Sequence, residues 1–238
     1  MRWLLAILCT VGIRAQACDL ALVLAVDISG SVDPDEYTIQ MRGLADGLRD
    51  GAIAEALVGS KAAVSLVQWT GASRQEMSVP WVRVETHEDV FALADQIERT
   101  PRAWRNFSTA IGEALGFSLP FFDEVPDCER RIIDVSGDGI SNEGRDPVAL
   151  HEPLKERGIT VNALVIEGAE VDLTGYFWEN VITGPGAFVV TANGFDEYPA
   201  RMRLKLLREV TKPISARPQR PFVIPAAVAI PQASENQN

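Results

Sequence analysis

Asp27, Ser29 and Ser31 occupy alternate positions in the run Asp27-Ile28-Ser29-Gly30-Ser31, directly after the apolar stretch Leu20 to Val26. One carboxylate and two hydroxyls converging in a single turn suit a hard divalent cation that keeps part of its water, which is Mg²⁺-like behaviour. An Asp that ends a strand, followed by serines that cap a helix, accounts for the same five residues without a metal. Two distant segments repeat the chemistry. Ser108-Thr109 precedes Ile111, Leu115, Leu119 and Phe122, which recur at helical spacing and predict one buried helix face. Arg131 to Val135 reads as a strand running into Gly137-Asp138-Gly139, where two glycines permit tight backbone around one carboxylate.

Positioning these groups requires a particular scaffold. Leu20 to Val26 has no polar alternation, so both of its faces should be buried, as in a central parallel strand. Ligands of open α/β sheets bind at the carboxyl ends of such strands. Asp33-Pro34 opens a helix through Ile39, Leu44 and Leu48 to about Asp50, and Lys61 to Trp69 reads as the second strand. Gln75 to Val84 contains Pro80, which suits an antiparallel edge strand. Thr86 to Asp89 caps a helix carrying Val90, Leu93, Ala94 and Ile97 inward. Asp146-Pro147 opens a helix kinked at Pro153 and closed at Gly158. Ile159 to Ile166 is the fifth strand, Leu173 to Val181 a short helix, Ala187 to Thr191 the sixth strand and Phe195 to about Val210 the last helix. The order β-α-β-β-α-α-β-α-β-α-β-α predicts an α/β, doubly wound, mostly parallel six-stranded sheet with helices on both faces.

With these residues in place, the sequence resembles the von Willebrand factor A domain and its metal-ion-dependent adhesion site. The resemblance implies that Asp27, Ser29, Ser31, Thr109 and Asp138 form the metal-ligand set. The stretches Cys18 to Asp27, Cys128 to Gly139, Gly184 to Val189 and the Lys205-Leu206 helix also resemble an uncharacterised bacterial family of secreted A-domain-like proteins, over roughly residues 18–215. Two positions depart from the wider pattern: Gly137, where many A domains carry Thr, and Phe107, where glycines are common. In the A-domain topology strands one and four are parallel neighbours. Cys18 and Cys128 then begin these strands at nearly the same height, and a Cys18–Cys128 disulfide is expected. The competing use of Cys18 is lipidation.

The chain has 238 residues and is 47% hydrophobic, enough for one full core. Its formal net charge of −11 disfavours nucleic acid and anionic membranes as partners. The two histidines, His87 and His151, lie in unrelated segments, which argues against zinc sites and histidine triads. Residues 1–17 read as a secretory signal. Arg2 is the basic start, Trp3 to Ile13 is an apolar core too short to span a bilayer, and Ala15-Gln16-Ala17 is a cleavage site. The expected location is therefore the bacterial periplasm or the exterior, with no transmembrane segment in the mature chain. Residues 216–238 hold four prolines and no periodicity, and read as a disordered tail.

The resemblance implies a non-catalytic, metal-dependent protein-binding module. The cation, Mg²⁺ or else Mn²⁺ or Ca²⁺, keeps one position open for an acidic side chain of a protein partner. The alternative is a metal-dependent phosphohydrolase, because Gly137-Asp138-Gly139-Ile140-Ser141-Asn142 resembles the metal motif of haloacid-dehalogenase-like phosphatases. Those enzymes need a second aspartate where this chain has Ser29, and no general acid replaces it. Trp69, at the end of strand two, is better placed than Trp81 or Trp104 to flank the metal face, but core packing or edge cover is the simpler role for all three. Asp134, inside strand four, needs a buried partner, for which the backbone or Arg130-Arg131 are candidates. Arg201, Arg203, Lys205 and Arg208 read as the solvated face of the last helix.

Overall fold

The computed structural model describes residues 18–168 and 172–211. Residues 1–17, read as a secretory signal, and the proline-containing tail lie outside the described residues. Six strands form one sheet in the order β3-β2-β1-β4-β5-β6: β1 Leu20–Asp27, β2 Ala63–Trp69, β3 Gln75–Arg83, β4 Arg130–Gly137, β5 Ile159–Ile166 and β6 Val189–Ala192. All neighbours are parallel except β2 and β3, which places the proline-bearing strand at an antiparallel edge. The helices are α1 Pro34–Arg49, α2 Gly51–Gly59, α3 His87–Arg99, α4 Ile111–Ser118, α5 His151–Glu156, α6 Leu173–Asn180 and α7 Tyr198–Val210.

Every residue of β1 is buried, and its side chains divide by size between the two layers. Leu20, Leu22, Leu24 and Val26 join a core with residues of α1, α2, α3 and α7. Ala21, Val23 and Ala25 join a second core with Ile111, Leu115, Phe122, Leu154 and Phe177. The continuous apolar run thus serves two faces at once, as a central parallel strand must. Helix α1 starts in a capping box, with Asp33 accepting from the backbone of Glu36 and the Glu36 side chain accepting from Asp33 N–H. Gly43 lets α1 approach α7, since a Cβ there would lie 2.9 Å from the Tyr198 ring.

Several boundaries differ from the sequence reading. Asp50 ends α1 and caps a separate helix, α2. Leu119 to Glu124 forms a 3₁₀ helix, so Phe122 reaches the core from a tighter turn than the α-helical spacing implied. The segment after Asp146 divides into a 3₁₀ turn, Pro147–Leu150, and the short α5. A further 3₁₀ turn, Phe195–Glu197, precedes α7, which begins at Tyr198.

Lys205 is not on the solvated face of α7. It is fully buried and ion-pairs with Asp134 Oδ1 of β4 and, at 2.8 Å, with Glu209 Oε1. Asn162 of β5 donates to the same Glu209 oxygen at 2.9 Å. The partner of Asp134 is therefore Lys205. Arg130 donates instead to the carbonyls of Glu209 and Val210 at the end of α7, and Arg131 to the carbonyl of Arg157. Trp69 is fully buried in the second core and is no part of an open rim.

Register extends from the Leu20–Arg130 pair back to the cysteines, and Cys18 and Cys128 are joined in a disulfide with Cα atoms 4.3 Å apart. Cys18, Asp127 and Cys128 bring three metal-type ligand atoms together, but the two sulfurs are consumed in the bond and Asp127 pairs with Arg83 at 2.6 Å.

Candidate metal centre

Because β1 and β4 are parallel neighbours, Asp27 and Asp138 leave the sheet at the same edge, offset by one residue. The turn after β1 is held from within. Asp27 Oδ1 accepts from Ser29 N–H at 2.7 Å, which curls the chain back and turns the Ser29 and Ser31 hydroxyls toward each other, 3.1 Å apart. Ser31 Oγ donates to Asp138 Oδ1 at 2.6 Å. Asp27, Ser29, Ser31 and Asp138 thus form one continuous polar chain.

Thr109 arrives from the loop before α4. Its N–H donates to Asn142 Oδ1 at 3.0 Å, and its carbonyl accepts from Asn142 N–H at 2.9 Å, which fixes it against the loop that follows Asp138. A Cβ built on Gly139 would lie 3.5 Å from Thr109 Oγ1, so this hydroxyl sits beside the Asp138-Gly139 turn. Gly112 permits the approach, because a Cβ there would come within 2.0 Å of the Arg145 carbonyl oxygen. The five residues singled out in the sequence therefore gather at one edge of the sheet.

Sequence reading missed the residues that hold these loops. Arg102 donates to the Ile28 and Ser29 carbonyls at 2.9 and 2.8 Å, and Gln40 donates to the Asp27 carbonyl at 3.2 Å. Ser141 donates toward the Thr109 carbonyl and accepts from Ile111 N–H, while the Tyr176 hydroxyl accepts from Ser141 N–H. Arg102 carried no local signal, because a lone arginine in a loop reads as solvated. Ser141 and Asn142 did carry one, in the run that begins at Gly137.

The electrostatics are those of an uncompensated site. Asp27 is fully buried, and its Oδ2 has no hydrogen-bond partner. Burial, with the nearby Asp138 charge second, raises the Asp27 pKa to about 8. Burial also raises Asp138, against the opposing hydrogen bond from Ser31. Gly137 stands beside this oxygen: a Cβ there would lie 3.2 Å from Asp27 Oδ2. A buried carboxylate oxygen without a donor is costly. A divalent cation among one free carboxylate oxygen, three hydroxyls and a second carboxylate removes that cost, so the residues present fit such an ion.

Comparison with known proteins agrees with this architecture. Proximal thread matrix protein 1 from the mussel byssus superposes with a TM-score of 0.60 at 23% identity, over 81% of this chain and 48% of that one. The same protein with a zinc-occupied MIDAS motif gives 0.59 at 20% identity, over 82% and 49%. The pilus adhesin SpaC from Lactobacillus rhamnosus GG gives 0.60 at 14%, over 81% and 30%. A von Willebrand factor type A protein from Catenulispora acidiphila gives 0.60 at 16%, over 83% and 44%. The chain thus spans about half or less of the length of these proteins, and at these identities the likeness establishes the fold, which is von Willebrand factor A-like. No curated protein matches the sequence. Residues 17–214 match the family described as "Protein of unknown function (DUF1194)", and the chain belongs to that family.

Proposed function

We propose that Asp27, Ser29, Ser31, Thr109 and Asp138 hold one divalent cation, and that the domain is a non-catalytic, metal-dependent protein-binding module. The observation that carries this reading is the bare, fully buried Asp27 Oδ2 beside the Ser29–Ser31–Asp138 chain. The hydroxyls and the two carboxylates hold the ion, while the Ser29 N–H and Arg102 keep the first loop in shape. When bound, the cation supplies an electrophilic position for an acidic side chain of a protein partner. Mg²⁺ is the proposed ion, with Mn²⁺ and Ca²⁺ as hard alternatives. The zinc-occupied motif in the mussel protein supports metal binding at such a site and leaves room for a softer ion. The SpaC adhesin supports the adhesive reading. The disulfide fits an oxidising compartment and supports a periplasmic or secreted location. Among the described residues no helix is long and apolar enough to cross a membrane.

Thermal unfolding tests the metal reading. Millimolar Mg²⁺ or Mn²⁺ is expected to raise Tm by mass action, and Asp27→Ala is expected to remove the response. The pH dependence has a defined sign. Without metal, folded Asp27 holds its proton from the ordinary value of 3.8 up to about 8, so it makes stability fall as pH rises through that window. The metal-induced gain should therefore be larger at pH 7.5 than at pH 5. Equal gains at both pH values, or none, would count against the site. The purified chain is expected not to hydrolyse phosphate esters. Metal-dependent hydrolysis abolished by Asp138→Ala would favour the phosphohydrolase reading instead.

A further inference from the structure

The opposite end of the sheet holds a second feature, unrelated to the metal residues. A cavity of about 990 Å³ opens where β4 and β5 begin, between the Gly184–Phe188 loop and the end of α7. With eight residues in β4 at about 3.3 Å each, it lies roughly 25 Å from Asp138. Its size is that of a small-molecule site. Ile132, Ile159 and the buried Phe188 supply apolar wall.

The charge around it runs against that of the chain. The whole sequence carries −11, yet Arg130, Arg131, Lys155 and Arg208 line this cavity against only two carboxylates, Glu129 and Glu209. Glu209 is already held by Lys205 and Asn162. Lys155 is paired with Glu152 at 2.8 Å, so the arginines carry the remaining positive charge. Arg130 and Arg131 cap helix ends through Nη atoms, while the Nε of each is buried without a hydrogen-bond partner. The Arg208 guanidinium lies 3.7 Å over the Phe188 ring, which joins a charge to the apolar wall.

We propose that this cavity binds a small amphipathic carboxylate, with its apolar chain along Ile132, Ile159 and Phe188 and its charge against the arginines. An apolar trough alone would accept a neutral chain equally well. The excess of cations in an acidic protein selects the anion.

Methyl and aromatic NMR of the full chain titrated with octanoate, octanol and octylammonium below their aggregation limits tests this. Octanoate is expected to give saturable shifts at Ile132, Ile159 and Phe188, with affinity at least tenfold above octanol, and octylammonium none. Arg208→Gln should weaken octanoate at least fivefold and leave octanol unchanged, which separates lost charge from lost packing. Arg131→Gln, which removes a charge at the other side of the cavity, should likewise weaken octanoate severalfold and leave octanol unchanged, which gives a second check should Arg208→Gln perturb the fold. Asp27→Ala should leave octanoate binding intact, so failure of the metal reading would not disturb this one. Equal affinity for octanoate and octanol, undiminished octanoate binding in Arg208→Gln, or shifts confined to other regions would overturn the proposal. A response that appears only after removal of residues 212–238 would assign the cavity to the chain's own C-terminal segment and overturn it as well.

Discussion

Replacing Lys205 with Met is expected to destabilise the domain more than any substitution on its surface, by about 3–5 kcal/mol. Lys205, Asp134 and Glu209 are all excluded from solvent, and the lysine is the one cation between two carboxylates. Methionine keeps the length of the side chain but leaves the two acids facing each other. With both acids ionised the cluster would carry one negative charge in excess, and burial, with the Asp134 charge second, raises Glu209 to about 8. The folded state then holds an extra proton between the ordinary 4.5 and about 8, so stability should fall as pH rises through that window. Glu209→Gln should flatten that slope at little cost near neutrality, because the amide keeps the shape of the protonated acid and cannot ionise. Urea unfolding of the three proteins at pH 5 and pH 8.5 checks both statements. A Lys205→Met variant as stable as the parent would show that the cluster does not anchor α7.

Reducing the Cys18–Cys128 disulfide, or replacing Cys128 with Ser, is expected to cost about 4–5 kcal/mol, because the bond closes a loop of 110 residues in the unfolded chain. At this chain length that corresponds to a fall in Tm of about 10–15 °C. The bond ties the starts of β1 and β4, whose other ends carry Asp27 and Asp138, so it also holds the register that aligns the two acids. Intact mass gives the covalent check. A gain of two hydrogens on reduction is expected. A diacylglyceryl mass on Cys18, or two thiols free without reductant, would contradict the bond and favour lipidation.

The scaffold was legible because β1 is an unbroken apolar run, β5 is apolar apart from Thr160 and Asn162, and the turns carry oxygen-bearing residues. Leu20 to Val26 and Ile159 to Ile166 needed no tertiary information to be read as buried strands. Helix α2 was not legible: it is nine residues long, bounded by Gly51 and Gly59, and too apolar around its circumference to show a stripe. The buried cluster was legible in part. Lys205 falls three residues after Met202 and one before Leu206, inside the apolar stripe of α7, and Asp134 stands in a buried strand. Two unmatched charges of opposite sign in buried positions point to each other, but the ordinary solvation of basic helix residues hides the signal. The loops that brace the metal residues came from long-range contacts, such as Arg102 reaching Ser29 across 73 residues, which no local pattern encodes.

Calorimetric titration of the purified chain with Mn²⁺ tests the central claim most directly. One ion per chain is expected, with Asp27→Ala, Asp138→Ala and Thr109→Ala each weakening the affinity at least tenfold while the far cavity variant Arg208→Gln leaves it unchanged. Absence of binding at millimolar Mn²⁺ in the parent, or variants that bind as tightly as the parent, would contradict the account.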